Sequence, residues 1–442
     1  MVRDVIGADG QRYRLTHRLG IGGQGAVYAV EGGRLAAKLL LDRSEERRFV
    51  LRTTLDGVRR LPVEDLATAR PLVVLRSPEC GYIMELLTGM APITKLARPD
   101  GEDVSDWYRA TGGLRRRLGV LAHAARTVHQ LHSRALAWGD PSLNNIFVAE
   151  DPTNEISRLI DTDNLRWASR PGPSVYTDGY GAPELKAGRS GINTMTDAHA
   201  MAVIAFEVLT LCHPLVGDAV RASEDEVEQA ALRGEWPWVD DPDDERNRCS
   251  TGLPREAILT RGLREVFARF FGPGLGDWHL RPGVGELADA LAIAAAATVR
   301  CPGCGATYLF KDTLCPWCDT ARPPFVLADV GRWNPESQAL ELGADGRPDR
   351  LGVVAVTTGE ERAVPSALIG AGQIALRVDG SRLWARGPGV LRSPDGKHLV
   401  EMDDQERPLD LGPRKRPWTI HLGTLDRPHR VLTPNLHVGG AP

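Results

Sequence analysis

The spacing of apolar positions changes along the chain and divides it into stretches of different character. Short apolar runs at Tyr13–Leu19, Ala26–Val30, Leu35–Leu41, Leu72–Leu75 and Tyr82–Leu87, several of them set apart by Gly clusters, predict strands. Ser44 followed by Glu45 and Glu46 predicts a helix start among them, with a capping hydroxyl and carboxylates in the first turn. From Trp107 to about Thr298 apolar residues recur at helical spacing, as in Leu114, Leu118, Leu121, Ala125, Val128 and Leu131, and again in Val203, Phe206 and Leu209. Residues 235–248, rich in Trp, Pro and Asp, predict a surface excursion between helices. After a Cys-bearing module at 301–318, Arg322-Pro323-Pro324 predicts a stiff linker. Beyond it, short apolar runs such as Leu383-Trp384-Ala385 and His398-Leu399-Val400 alternate with Gly, Asp and Pro and predict an all-β domain.

Composition narrows the class. A chain of 442 residues is too long for one core, so two or three domains are expected. With 42% hydrophobic and 25% charged residues and a net charge of −4, the chain has no global field favouring nucleic acid or an anionic membrane. The most apolar stretch, Leu287–Val299, is too short for a membrane span and carries Asp289, so it predicts a buried helix. The start (Met1, Arg3, Asp4) lacks a signal-peptide run. Of seven cysteines, four form two close pairs, which suits a metal site in a reducing cytoplasm better than a disulfide framework.

Candidate chemistry sits at four places in the first 300 residues. Gly20, Gly22, Gly23 and Gly25 lie between two predicted strands, where glycine lets the backbone approach a phosphate. Lys38 stands in the apolar run Leu35–Leu41, a costly place for an ammonium without an anionic partner. Asp140 and Asn145 share a loop after a helix, and Asp161 follows Leu159-Ile160 at the end of a short strand, where a carboxylate suits Mg²⁺. Taken alone, the glycines fit a common Gly-rich hairpin, Lys38 a snorkelling lysine at a strand edge, and the carboxylates turn or capping residues. Their order is the informative part.

That order resembles the protein-kinase signature set: Gly-rich loop, strand lysine, Asp-x₄-Asn loop, metal Asp, then Ala182-Pro183-Glu184. Thr177–Glu184 looks like the end of an activation segment, Asp197 like the residue that braces the catalytic loop, and Arg281 like the partner of the Ala-Pro-Glu glutamate. The resemblance covers about residues 13–297. It implies an α+β, protein-kinase-like bilobal fold, with a β-rich N-lobe over 13–88 and a helical C-lobe over 89–297. It further implies a Ser/Thr protein kinase of the bacterial eukaryotic-like kind, using ATP with Mg²⁺ or Mn²⁺ on a protein substrate. On that resemblance Lys38 holds the α- and β-phosphates under Gly20–Gly25, and Met84–Leu87, with Glu85 and Leu87, forms the adenine hinge. Asn145 and Asp161 ligate the metal, and Asp140 orients the substrate hydroxyl and takes its proton.

Several positions depart from the family. Trp138-Gly139 replaces the His-Arg before the catalytic Asp, which implies activity independent of activation-loop phosphorylation. Ser142 stands where Ser/Thr kinases carry a lysine. Thr162-Asp163 replaces Phe-Gly, making Asp163 a rival for the metal role, with Asp161 favoured. Thr177 keeps the spacing that suggests Ser/Thr specificity. Glu46 is chosen as the helix glutamate that pairs with Lys38. His129 and His132 are read as core or surface histidines rather than a metal pair.

Cys301-Pro302-Gly303-Cys304 and Cys315-Pro316-Trp317-Cys318 give two C-x₂-C pairs, the ligand set of a closed tetrahedral Zn²⁺ site, with Gly305 suited to a knuckle turn. Residues 298–320 resemble a zinc ribbon. Residues 327–442 form the β-rich domain, expected to dock a cognate phosphatase or another signalling protein. Neither membrane nor nucleic acid is an expected partner. A nucleotide-binding pseudokinase scaffold acting through the zinc ribbon and β domain is the rival reading. A small-molecule kinase is disfavoured by Ala182-Pro183-Glu184 and the complete Gly-rich loop.

Overall fold

Six strands of the first hundred residues pair antiparallel into one sheet, β1 (Arg3–Ile6), β2 (Arg12–Ile21), β3 (Gly25–Val30), β4 (Leu35–Leu40), β5 (Val73–Val74) and β6 (Gly81–Glu85), in the order β1-β2-β3-β4-β6-β5. The structure, a computed structural model, describes residues 3–437 apart from 23–24, 42–43, 102, 170–174, 371, 381 and 412–416. β1 lies outside the expected boundary at residue 13. Val5 faces Tyr13 across the ladder, and both join Leu15, Val30, Ala37, Leu39, Leu75 and Ile83 in one core. Because neighbouring strand residues point to opposite faces, Tyr82 turns the other way and packs with Val74 against Leu55 of helix α1 (Glu45–Arg59).

The chain forms two compact units. The first joins Met1–Arg98 with His123–Gly252 and Val266–Ala288, and the second joins Pro99–Ala122 with Leu253–Glu265 and Asp289–Pro442. In the first unit the helix Thr194–Thr210 is apolar on nearly every side and buried almost throughout, as expected of a helix at the centre of a core. Phe206 on this helix meets Phe267, Phe271 and Trp238 edge-on. Trp238 and Val239 are thus core residues that anchor the stretch 235–248, whose other residues, Asn247 apart, lie exposed or half-buried as a surface excursion. Buried Asn247 completes the anchor, donating to the Leu215 and Pro237 carbonyls and accepting from the Gly217 amide.

In the second unit, strand Phe325–Asn334 is buried on both faces. Phe325 and Leu327 pack into a core with Val299, Tyr308, Cys301 and Cys315 of the cysteine module. Val326, Ala328 and Val330, one residue out of phase, pack into a second core with Leu376, Leu383 and Leu409 of a four-stranded sheet. The cysteine module and the β strands therefore share a core across Arg322-Pro323-Pro324, and the expected division into 298–320 and 327–442 is not seen in the packing. Among the described residues no helix is long and apolar enough to cross a membrane.

Candidate active site and metal centre

β4 carries Lys38 with its side chain only 8% exposed. Its ammonium reaches the Asp161 carboxylate and, at 3.0 Å, Asp163 Oδ2. Burial alone would lower the lysine pKa, but the charges of Asp163 and Asp161 outweigh it and raise it, so the ammonium stays protonated. Asp161 has left-handed backbone angles, φ 54° and ψ 45°, which Asp tolerates better than most residues. The buried Thr162 hydroxyl bonds to the Ala69 carbonyl at 3.1 Å and pins the segment. Two carboxylates two residues apart thereby turn to one ammonium. Burial, then the neighbouring Asp161 charge, raises the Asp163 pKa.

Asp140 is positioned from two sides. Thr177 donates both its amide and its hydroxyl to Asp140 Oδ1, at 2.6 and 2.8 Å. The loop behind it hangs on Asp197, whose carboxylate accepts the amides of Trp138 (2.6 Å) and Gly139 (2.9 Å) and a hydrogen bond from His132 Nε2 (3.1 Å). Gly139 has φ 99°, a conformation that L side chains rarely adopt. His132 is thus a bracing residue rather than half of a metal pair. Burial raises the Asp140 pKa against the pull of Thr177, with the Asp161 charge adding to the rise and the Lys38 charge opposing it.

Asn145 donates to the Asp140 carbonyl at 2.9 Å, and its own carbonyl accepts the amide of Ile160, next to Asp161. Gly22 and Gly25 exchange hydrogen bonds at the tip of the β2–β3 hairpin, while Gly23 lies outside the described residues. A Cβ on Gly25 would lie 2.4 Å from the Leu39 carbonyl oxygen, so that glycine serves strand packing. Gly20 and Gly22 have open space around a would-be Cβ and no positive φ, so the fold itself does not require glycine there. Glu85 ends β6, with Arg158 at 3.5 Å, and Leu87 follows it half-buried.

Glu46 stands apart. It is exposed in the first turn of α1, and the described partners of the Lys38 ammonium are Asp161 and Asp163 instead. Its side chain lies in solvent on the first turn of α1, whereas the Lys38 ammonium is buried against the Asp161–Asp163 segment.

Charge and burial fit a divalent cation at the two carboxylates. Asp163 Oδ1 is buried with no hydrogen-bond partner among the described residues, a costly state that a cation or a shifted ammonium relieves. At the second centre the thiol sulfurs of Cys301, Cys304, Cys315 and Cys318 all lie within 4.8 Å of one another. Each pair is followed by a residue in the left-handed region, Gly305 (φ 74°) and Asp319 (φ 55°), and the amides of Gly303 and Cys304 donate to Cys301 Sγ. This repeated turn is what a zinc knuckle requires, and the set fits a closed Cys₄ zinc site.

Sheet, helices and site together define a protein-kinase-like fold with a zinc-ribbon-like module behind it. Over its N-terminal half the chain is related to bacterial Ser/Thr protein kinases. It is 31% identical over 230 residues to the DNA damage-responsive serine/threonine-protein kinase RqkA of Deinococcus radiodurans, covering 47% of this chain and 31% of that protein. It is 27% identical over 218 residues to the serine/threonine-protein kinase Pkn1 of Myxococcus xanthus, covering 47% of this chain and 30% of that protein. The match therefore spans about a third of the length of these curated relatives. No protein-family model matches the chain.

Proposed function

We propose that this chain is a Mg²⁺-dependent protein kinase that transfers the γ-phosphate of ATP to a Ser or Thr hydroxyl of a protein substrate. The observation that carries the reading is the pairing of Lys38 with Asp161 and Asp163, next to an Asp140 loop that Asn145 ties to the residue before Asp161, on a chain whose relatives are named Ser/Thr kinases. Phosphoryl transfer asks for positioning and charge neutralisation more than covalent chemistry, and this site offers both.

In this reading Lys38 binds phosphate oxygens, and Gly20 and Gly22 give them backbone access where packing makes no demand for glycine. Asp161 and Asn145 hold the metal, which when bound neutralises phosphate charge. Asp140, held at one oxygen by Thr177, keeps the other for the incoming hydroxyl and accepts its proton. Thr177 is also the ground for Ser/Thr rather than Tyr specificity. With Trp138-Gly139 before Asp140, the loop lacks the arginine that reads a phosphorylated activation segment, and Asp197 fixes it through backbone amides instead. Activity is therefore independent of that phosphorylation. Zn²⁺ at the four cysteines is structural, and the β strands sharing its core dock a phosphatase or another signalling partner. Adenine meets the backbone of Met84–Leu87.

The test is transfer of label from γ-labelled ATP, with and without Mg²⁺, to a generic protein acceptor and to the chain itself. Label on Ser or Thr that needs Mg²⁺ and disappears in Asp140→Asn supports the reading. Nucleotide binding without any transfer would favour the scaffold alternative.

A further inference from the structure

We propose that Asp163 replaces the helix glutamate as the positioning partner of Lys38, leaving Asp161 to the metal. This inference rests on the kinase reading above. In kinases the strand lysine is held by a glutamate from the helix that follows it, and movement of that helix controls activity.

Here α1 has little to offer for that role. Its carboxylates are Glu45 and Glu46, both exposed in the first turn, and Asp56 near the far end, which is engaged by Arg59 and Arg60. The segment Asp161-Thr162-Asp163 supplies the missing charge. Asp163 Oδ2 lies 3.0 Å from the Lys38 ammonium, and its side chain is 9% exposed against 21% for Asp161. The more exposed carboxylate is the one that a hydrated metal–nucleotide can reach. The more buried one keeps an ammonium in a dry site, where an ion pair is strong. Asp163 Oδ1, buried and without a hydrogen-bond partner among the described residues, leaves that carboxylate with acceptor capacity when Asp161 is engaged elsewhere. The left-handed turn at Asp161 and the Thr162–Ala69 hydrogen bond hold both carboxylates in register without help from α1. Lysine anchoring is built into the metal-binding segment, so motion of α1 does not switch it.

The experiment compares the full chain with Asp163→Asn, Asp163→Glu, Asp161→Asn and Glu46→Gln. It reads the Kd of a ribose-labelled fluorescent ATP, the Mg²⁺ concentration for half-maximal transfer, and the rate at which an ATP-directed sulfonyl fluoride labels Lys38. Expected are a rise of about tenfold or more in nucleotide Kd and an altered labelling rate for Asp163→Asn, with half-saturating Mg²⁺ within about twofold. Asp163→Glu restores part of the affinity, which a merely unfolded variant would not. Asp161→Asn mainly raises the Mg²⁺ requirement. The inference is overturned if Glu46→Gln changes Lys38 labelling as much as Asp163→Asn does. It is equally overturned if Asp163→Asn shifts the Mg²⁺ requirement as Asp161→Asn does. A wild-type chain that binds no nucleotide would instead remove the kinase reading beneath it.

Discussion

Arg281 grips Glu184 through two parallel hydrogen bonds of 2.7 and 3.0 Å, with both side chains shut away from solvent. The guanidinium also donates to the carbonyls of Gly274 and Met195, so it joins the segment from Glu184 to Met195 to the stretch from Gly274 to Arg281. Removing one partner of such a pair strands a buried charge. Glu184→Gln or Arg281→Met is expected to cost about 3–5 kcal/mol of unfolding free energy, measured by urea denaturation. A cost below about 1 kcal/mol would show that the pair is not the buried clamp described.

Catalysis should collapse at Lys38 and Asp140 without loss of the fold. Lys38→Ala and Asp140→Asn are each expected to lower kcat/KM for phosphate transfer by about 100-fold or more with the folded circular dichroism spectrum kept, although Lys38→Ala, which strands the Asp163 carboxylate, also lowers the unfolding temperature. Thr177→Val should give a smaller loss, on the order of tenfold, because it removes the hydroxyl's hydrogen bond to the Asp140 carboxylate and keeps the amide's.

Much of this site was legible because its chemistry restricts residue type. A lysine inside Leu35–Leu41 stands out, and the spacing from Asp140 to Asn145 is set by one loop. The partner of Lys38 was not legible in the same way. It depends on the left-handed backbone at Asp161, which brings positions 161 and 163 to one ammonium, and no apolar period records that. Glu46 looked suitable because it opens a helix, a local signal silent about reach. Strand β1 was missed because four residues carry too little alternation to register. The run Phe325–Val330 hid the docking of the cysteine module, since a strand buried on both faces reads only as continuously apolar.

The cysteine centre yields a prediction about metal. Native mass spectrometry should find one Zn²⁺ per chain, lost in Cys304→Ser. Chelation should lower the melting temperature of the second unit, because metal binding contributes folding energy on the order of 10 kcal/mol in small modules. Trp317 stacks on Tyr108 with ring centroids 4.7 Å apart, so chelation should also shift tryptophan emission. An unchanged spectrum and melting curve would speak against a structural zinc.

Glu360 gives a pH dependence. Arg115 donates to it at 2.9 Å, Arg300 at 3.1 Å and the Thr357 hydroxyl at 2.6 Å. Burial alone would raise its pKa, but these partners outweigh burial and bring it down to about 2 from an ordinary 4.5. A carboxylate depressed in the folded state stabilises fully above its unfolded pKa, and that stability is lost as pH falls from about 4.5 towards 2. The loss should be on the order of 2 kcal/mol after allowance for solvent screening, and Glu360→Gln should flatten it in acid unfolding curves.

The turn at Asp161 also governs how this protein can be altered. Few side chains sit comfortably at that backbone geometry, and asparagine is one of them, whereas a β-branched or bulky residue would impose a conformational cost of its own. Neutralising the charge with asparagine therefore isolates electrostatics, while valine or leucine would confound it with a distorted loop. Substitution at this position is therefore limited by main-chain shape as well as by chemistry.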